Sequence, residues 1–159
     1  MKLKSIPVLL FFILLSQMAG IIGSFLTFDS VSSWYAYIER PSFAPPNWVF
    51  GPVWITLYAM MGLAAYIVWE KGWNKPAVKS ALGWFGGQLM LNTLWSIIFF
   101  GLRAPGAAFV EILLLWAAIA FTISRFGRVS NVSAWLLVPY ILWVSFAAIL
   151  NLSIWLLNP

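Results

Sequence analysis

The chain has 159 residues, of which 63% are hydrophobic and 8% charged, with a formal net charge of +5. A soluble domain is usually nearer half apolar, with about a quarter of its residues charged, so this composition excludes a water-soluble monomer and points to a protein embedded in lipid. The absence of His and Cys further excludes His-based triads, imidazole and thiolate metal sites, His-ligated haem and disulfides.

A hydrocarbon core about 30 Å thick needs roughly 20 apolar residues of helix. Five stretches qualify, at about Ile6–Thr27, Asn47–Trp69, Ala77–Phe100, Pro105–Ser124 and Ser133–Leu157. No alternation of lipid-facing and lumen-facing residues suggests a barrel. Only internally hydrogen-bonded backbone is stable in lipid. The expected fold is therefore an all-α integral membrane protein, one five-transmembrane-helix bundle over residues 1–159. Lys2 and Lys4 before the first apolar run resemble the start of a signal sequence. The run continues through Ile21, Ile22 and Phe25 with no A-x-A site after it, so it reads as a retained helix.

The basic residues sort by side. Lys2, Lys4, Lys71, Lys75, Lys79, Arg125 and Arg128 fall on the N-terminal side, against Arg40 and Arg103 on the other. This bias predicts a cytoplasmic N terminus and an outer C terminus in a bacterial cell membrane. The positive charge is scattered rather than striped, so no nucleic-acid partner is expected. Trp69, Trp73, Trp135 and Trp155 lie near span ends and read as headgroup-level anchors.

The first connection, about 28–46, is long and unlike the others. Its prolines Pro41, Pro45 and Pro46 fix φ and remove donors, which makes the segment stiff. With Trp34, Arg40 and Phe43 it reads as a lid over the outer mouth of the bundle. In the second span Trp54 and Tyr58 are four residues apart and share a helix face with Gly51 and Met61. Gln88, Asn92, Trp95 and Phe99 repeat that pattern in the third span, and Pro139, Trp143, Phe146, Ala147, Leu150 and Asn151 in the fifth. Buried amides in lipid need partners. Individually Gln88, Asn92 and Asn151 read as interhelical glue; together with Trp54, Trp95 and Trp143 they describe an aromatic-walled chamber with a few polar donors. Ala147 leaves room on an otherwise bulky face. Glu111 reads as structural, close enough to the start of its helix to reach the interface or pair with Arg103. Gly83/Gly87 and Gly20/Ser24 are small-xxx-small pairs that let helix backbones approach, within one bundle or between two.

The string Arg40-Pro-Ser-Phe-Ala-Pro-Pro-Asn-Trp-Val-Phe-Gly-Pro-Val-Trp54-Ile-Thr-Leu-Tyr58 resembles the signature of the translocator protein (TspO/MBR) family. These are also called tryptophan-rich sensory proteins or peripheral-type benzodiazepine receptors. Leu91-Asn92-Thr93-Leu94-Trp95-Ser96 resembles the family's third-helix motif. Val138-Pro139-Tyr140-Ile141-Leu142-Trp143, with Phe146-Ala147 and Leu150-Asn151, resembles its fifth. The resemblance implies a five-helix bundle, commonly a homodimer, with a cavity beneath the first loop. It implies binding of porphyrins such as protoporphyrin IX and of benzodiazepine-type ligands, with no required cofactor. By motif, the cavity residues are Trp54, Tyr58, Asn92, Trp95, Trp143, Phe146, Ala147 and Leu150, to which the reading of buried amides adds Gln88. Gly83 and Gly87 fall at the family's dimer contact. The C-terminal cholesterol consensus of animal members, a Tyr followed by a basic residue, is absent from Ile149–Pro159.

The leading expectation is a membrane binding protein for tetrapyrroles, active in transport, sensing or stress regulation. Porphyrin would stack on indole rings, oriented by amide donors and by Arg40 at the rim. The alternatives are light- or oxidant-driven porphyrin breakdown, with Trp54 and Trp143 as electron donors, and a stress-response scaffold acting through partner proteins. No nucleophile–base constellation lies in the spans, which disfavours hydrolytic chemistry. No mirrored pair of broken helices favours alternating access.

Overall fold

The computed structural model describes residues 5–159, apart from the side chains of Leu26, Phe28, Asp29, Val31 and Ser32. Lys2 and Lys4, used above for orientation, lie outside the described residues. The described chain is helical with no strand: α1 (Ile6–Ser32), α2 (Trp34–Tyr37), α3 (Asn47–Glu70), α4 (Pro76–Ser96), α5 (Pro105–Gly127), α6 (Asn131–Leu136) and α7 (Val138–Leu157). A π turn, Ile97–Gly101, continues α4. Proline opens both α4 and α5, where its missing N–H would have had no partner anyway.

Among the described residues, four helical stretches are long and apolar enough to cross a membrane: Ile6–Phe25, Asn47–Glu70, Pro105–Gly127 and Asn131–Leu157. The third expected span is helical too, but α4 falls below that apolarity. Lys79, Gln88, Asn92 and three glycines dilute its 21 residues. Three boundaries differ from the sequence expectation. Helix α1 passes Thr27 and ends at Ser32, and α2 follows at once, so the first connection is helical as far as Tyr37. Its prolines all lie after that point, and nothing in 28–37 forbids helix. The fifth span divides at Leu137, because Pro139 has no N–H to offer the carbonyl of Trp135. The third changes pitch at Ile97, where a π turn widens the helix.

Helix α1 packs on α3 and α4, α4 on α5, α5 on α7, and α6 on α3 and α5. One end of the bundle, beside the loop carrying Lys71 and Lys75, is solid. There Met61, Ala64, Ala65, Tyr66 and Val68 of α3 are sealed against Val78, Ala81 and Phe85 of α4 and Phe126 of α5. Gly62 makes the close approach possible, since a Cβ there would lie 2.6 Å from the Ile13 Cα of α1. Small residues serve this purpose between lipid-embedded helices.

Candidate functional site

At the opposite end the helices part around a cavity of about 1040 Å³. That is the upper end of the size usual for small-molecule sites, about 300–1,000 Å³. Phe50, Trp54 and Tyr58 line it from α3, Trp95 from α4, Phe99 and Phe100 from the π turn, and Trp143, Ala147 and Leu150 from α7. The rings are locked by one another. Trp54 stacks on Tyr58 with centroids 5.3 Å apart, Trp95 on Phe99 at 5.1 Å, and Phe50 meets Trp143 edge-on at 5.9 Å. The π turn places Phe99 and Phe100 on the same wall, a use that recurs where π turns sit at functional sites.

Helix α1 supplies a further wall that sequence reasoning missed, including Gln17, Gly20, Ile21 and Ser24. Gln17 donates from Nε2 to the Ile55 carbonyl at 2.9 Å. Gly20 leaves the space that the Tyr58 ring occupies, because a Cβ there would collide with it. The lone amide of Gln17 in an apolar run was the available signal.

Gln88 and Asn92 do not line the cavity. They stand behind its wall in a buried chain of hydrogen bonds across three helices. Tyr58 donates to Asn92 Oδ1 at 2.5 Å, Asn92 Nδ2 donates to the Tyr140 hydroxyl at 3.1 Å, and Tyr140 donates to Gln88 Oε1 at 2.9 Å. A buried amide is costly in such a place unless paired; two tyrosines supply partners for Asn92 and for Gln88 Oε1, and Gln88 Nε2 is left without one. Asn151 works in the same way while reaching the cavity surface. It accepts from Trp95 Nε1 at 3.0 Å and donates to the Pro105 carbonyl at 2.8 Å. The indole N–H of Trp95 is therefore committed. That of Trp143 is buried and has no partner.

The covering segment rests on the cavity's rim. Trp34 and Tyr35 of α2 meet Phe99 edge-on, and Phe43 meets Phe146 at 6.3 Å, so Phe146 supports the cover rather than lining the cavity. Arg40 donates to Asn47 Oδ1 at 3.1 Å, and its guanidinium lies 5.5 Å from the Tyr35 ring centre. Burial pushes the Tyr35 hydroxyl above its ordinary pKa, with the Arg40 charge opposing that shift. Arg40, Pro41, Pro45 and Pro46 border a separate hollow in the cover. Arg40 is thus engaged within the cover rather than presented to the main cavity.

Two other sequence readings meet a definite environment. Gly83 and Gly87 face outward from α4, where an added Cβ would touch nothing within 4 Å. Glu111 neither reaches the interface nor pairs with Arg103. It is 5% exposed on the inward face of α5, beside the buried Ala108 and Ile112, and neither carboxyl oxygen meets a hydrogen-bond donor.

Apolar membrane-length helices around an aromatic cavity with a proline-stiffened cover define a helical membrane protein with an internal cavity. The sequence matches the TspO/MBR family over residues 12–156. It is 49% identical over 140 residues to the Tryptophan-rich protein TspO of Archaeoglobus fulgidus, covering 87% of this chain and 89% of that one. It is 42% identical over 146 residues to the Translocator protein of Homo sapiens, covering 91% and 86%. With the Tryptophan-rich sensory protein of Cereibacter sphaeroides it shares 34% over 125 residues, covering 79% and 77%. The chain belongs to the TspO/MBR family and is an integral membrane protein.

Proposed function

We propose that the cavity binds a tetrapyrrole such as protoporphyrin IX, and that the protein acts in porphyrin transport or sensing. The observation that carries this reading is the Trp143 indole N–H, buried without a partner in the wall of a large aromatic cavity. A flat macrocycle offers π faces to Trp54, Trp95 and Trp143 and, once the Trp143 ring turns its N–H toward the hollow, an acceptor to that uncommitted donor. The ligand's carboxylates would lie toward the cover, where exchanging Asn47 for a carboxylate would let Arg40 reach them. In this reading α4 spans the membrane as a fifth helix, its amides turned to the bundle and its outward glycines to a second protomer. The seven-to-two distribution of basic residues supports an outer position for the covered end, and the open surface at Gly83 and Gly87 suits the seam of a homodimer.

The test is a porphyrin titration of the protein in lipid nanodiscs in darkness, read by tryptophan quenching. Saturable binding is expected, weakened in Trp143→Phe, which keeps a ring and loses only the donor. Identical curves for wild type and that variant would remove the donor from the reading. Trp54 and Trp143 both stand in the wall, which also favours a photo-oxidative activity on the bound ligand. A product formed on illumination by wild type and not by Trp54→Phe would establish that activity; its absence would leave a binding protein.

A further inference from the structure

The cover has little regular structure of its own. In residues 38–46 three of nine positions are proline and carry no N–H, and Ala44 donates to the Pro41 carbonyl at 3.0 Å within a local turn. Among the described residues, one side chain beyond the end of α7 ties this segment to the bundle through backbone groups. The Glu39 N–H donates to Asn158 Oδ1 at 3.0 Å, and Asn158 Nδ2 donates to the Glu39 carbonyl at 2.9 Å. The same Nδ2 also donates to the Ile154 carbonyl in the last turn of α7 at 2.8 Å. The amide thus mimics the pairing that one extended strand offers another. The third bond sets its orientation against the helix end.

We propose that Asn158 is a latch that holds the cover closed over the cavity and sets how fast ligand enters and leaves. The pairing engages only the backbone of residue 39, so it pins the chain just ahead of Arg40 and Pro41. From there the stiff Pro41–Pro46 stretch carries Phe43 onto Phe146 as a rigid arm. Asparagine is the residue this geometry calls for. Aspartate has no N–H for the Glu39 and Ile154 carbonyls, and would add a like charge beside Glu39. Asn158 does not line the cavity, so the latch acts on rates rather than on the bound state. This inference rests on the ligand-binding reading above.

The experiment compares wild type, Asn158→Ala and Asn158→Asp in lipid nanodiscs, with protoporphyrin IX as probe in darkness. Stopped-flow tryptophan quenching gives association, and displacement by excess unlabelled acceptor vesicles gives dissociation. Hydrogen exchange of the Glu39 amide is followed separately in the protein without porphyrin. Asn158→Ala should speed association and dissociation together by about tenfold, the effect of losing two modest hydrogen bonds, with the dissociation constant held within about twofold. Asn158→Asp keeps an acceptor for the Glu39 N–H and loses only the donor, so its rates should fall between those of wild type and Asn158→Ala. The Glu39 amide should exchange faster in Asn158→Ala by a similar factor. An unchanged Glu39 amide in Asn158→Ala would overturn the latch itself. A faster amide with unchanged porphyrin rates would overturn its control of access. If wild type binds no porphyrin, the ligand-binding reading falls, and the amide alone then decides whether Asn158 holds the cover.

Discussion

The two halves of α3 behave as if they belonged to different proteins. From Met61 to Val68 the helix is sealed, with Met61, Ala64, Ala65, Tyr66 and Val68 all at 0% exposure. From Phe50 to Tyr58 the same helix borders a hollow. The sealed half carries Gly62, which admits backbone-to-backbone contact with α1, and the small, fully buried Ala64 and Ala65. The open half carries Phe50, Trp54 and Tyr58, whose rings prop the neighbouring helices apart and stack on one another. In lipid, apolar surface gains little from mere burial, so side-chain shape decides where helices touch.

Substitutions that attack each half should separate them. Gly62→Leu should have the largest effect, because its Cβ would meet Ile13 backbone at 2.6 Å, and backbone cannot step aside. Loss of folded protein, or a stability loss above about 3 kcal/mol, is expected in thermal unfolding monitored by monodispersity. Tyr140→Phe sits between the halves and strips partners from Asn92 Nδ2 and Gln88 Oε1. A cost of about 1–3 kcal/mol should appear as a lowered Tm. If Tm does not move, the buried chain is not holding the three helices in register. Ala147→Phe fills the hollow and should weaken porphyrin binding at least about tenfold, near 1.4 kcal/mol, while the protein stays folded. Gly51→Ala should do least. Beyond its chain neighbours the position meets open space, and the helix propensity that alanine gains, up to ~1 kcal/mol, is offset by crowding of its Cβ against Pro52, so Tm should hold. A sharp loss there would mean the open half is tighter than its geometry indicates.

The cavity's aromatic members were legible because each occupies a helical repeat. Trp54 and Tyr58 are four apart, and Trp143, Ala147 and Leu150 follow at four and three, so finding them on one wall needs only helix geometry. Gln88 and Asn92 show the limit of that logic. They share a helical stripe with Trp95, but periodicity places a residue on a face without saying what the face meets. Tyr58 and Tyr140, from two other helices, claimed both amides for the wall. Helix α1 was hard to see as a wall because its apolar residues run all round it, leaving Gln17 and the Gly20/Ser24 pair, which read as a packing motif, as its marks. Phe146 sits on the right face of α7, yet Phe43 of the cover took its ring.

By itself the sequence determined that this protein lives in lipid, that it is helical, and which residues recur on the faces of α3, α4 and α7. Those properties follow from composition and from a period set by the backbone, which every segment carries locally. Only the tertiary structure decided that one end closes and the other opens, that Glu111 is enclosed, that a π turn aims Phe99 and Phe100 inward, and that Asn158 meets Glu39 across 119 positions. These depend on which surfaces meet and how closely side-chain volumes let them approach. No local period encodes that.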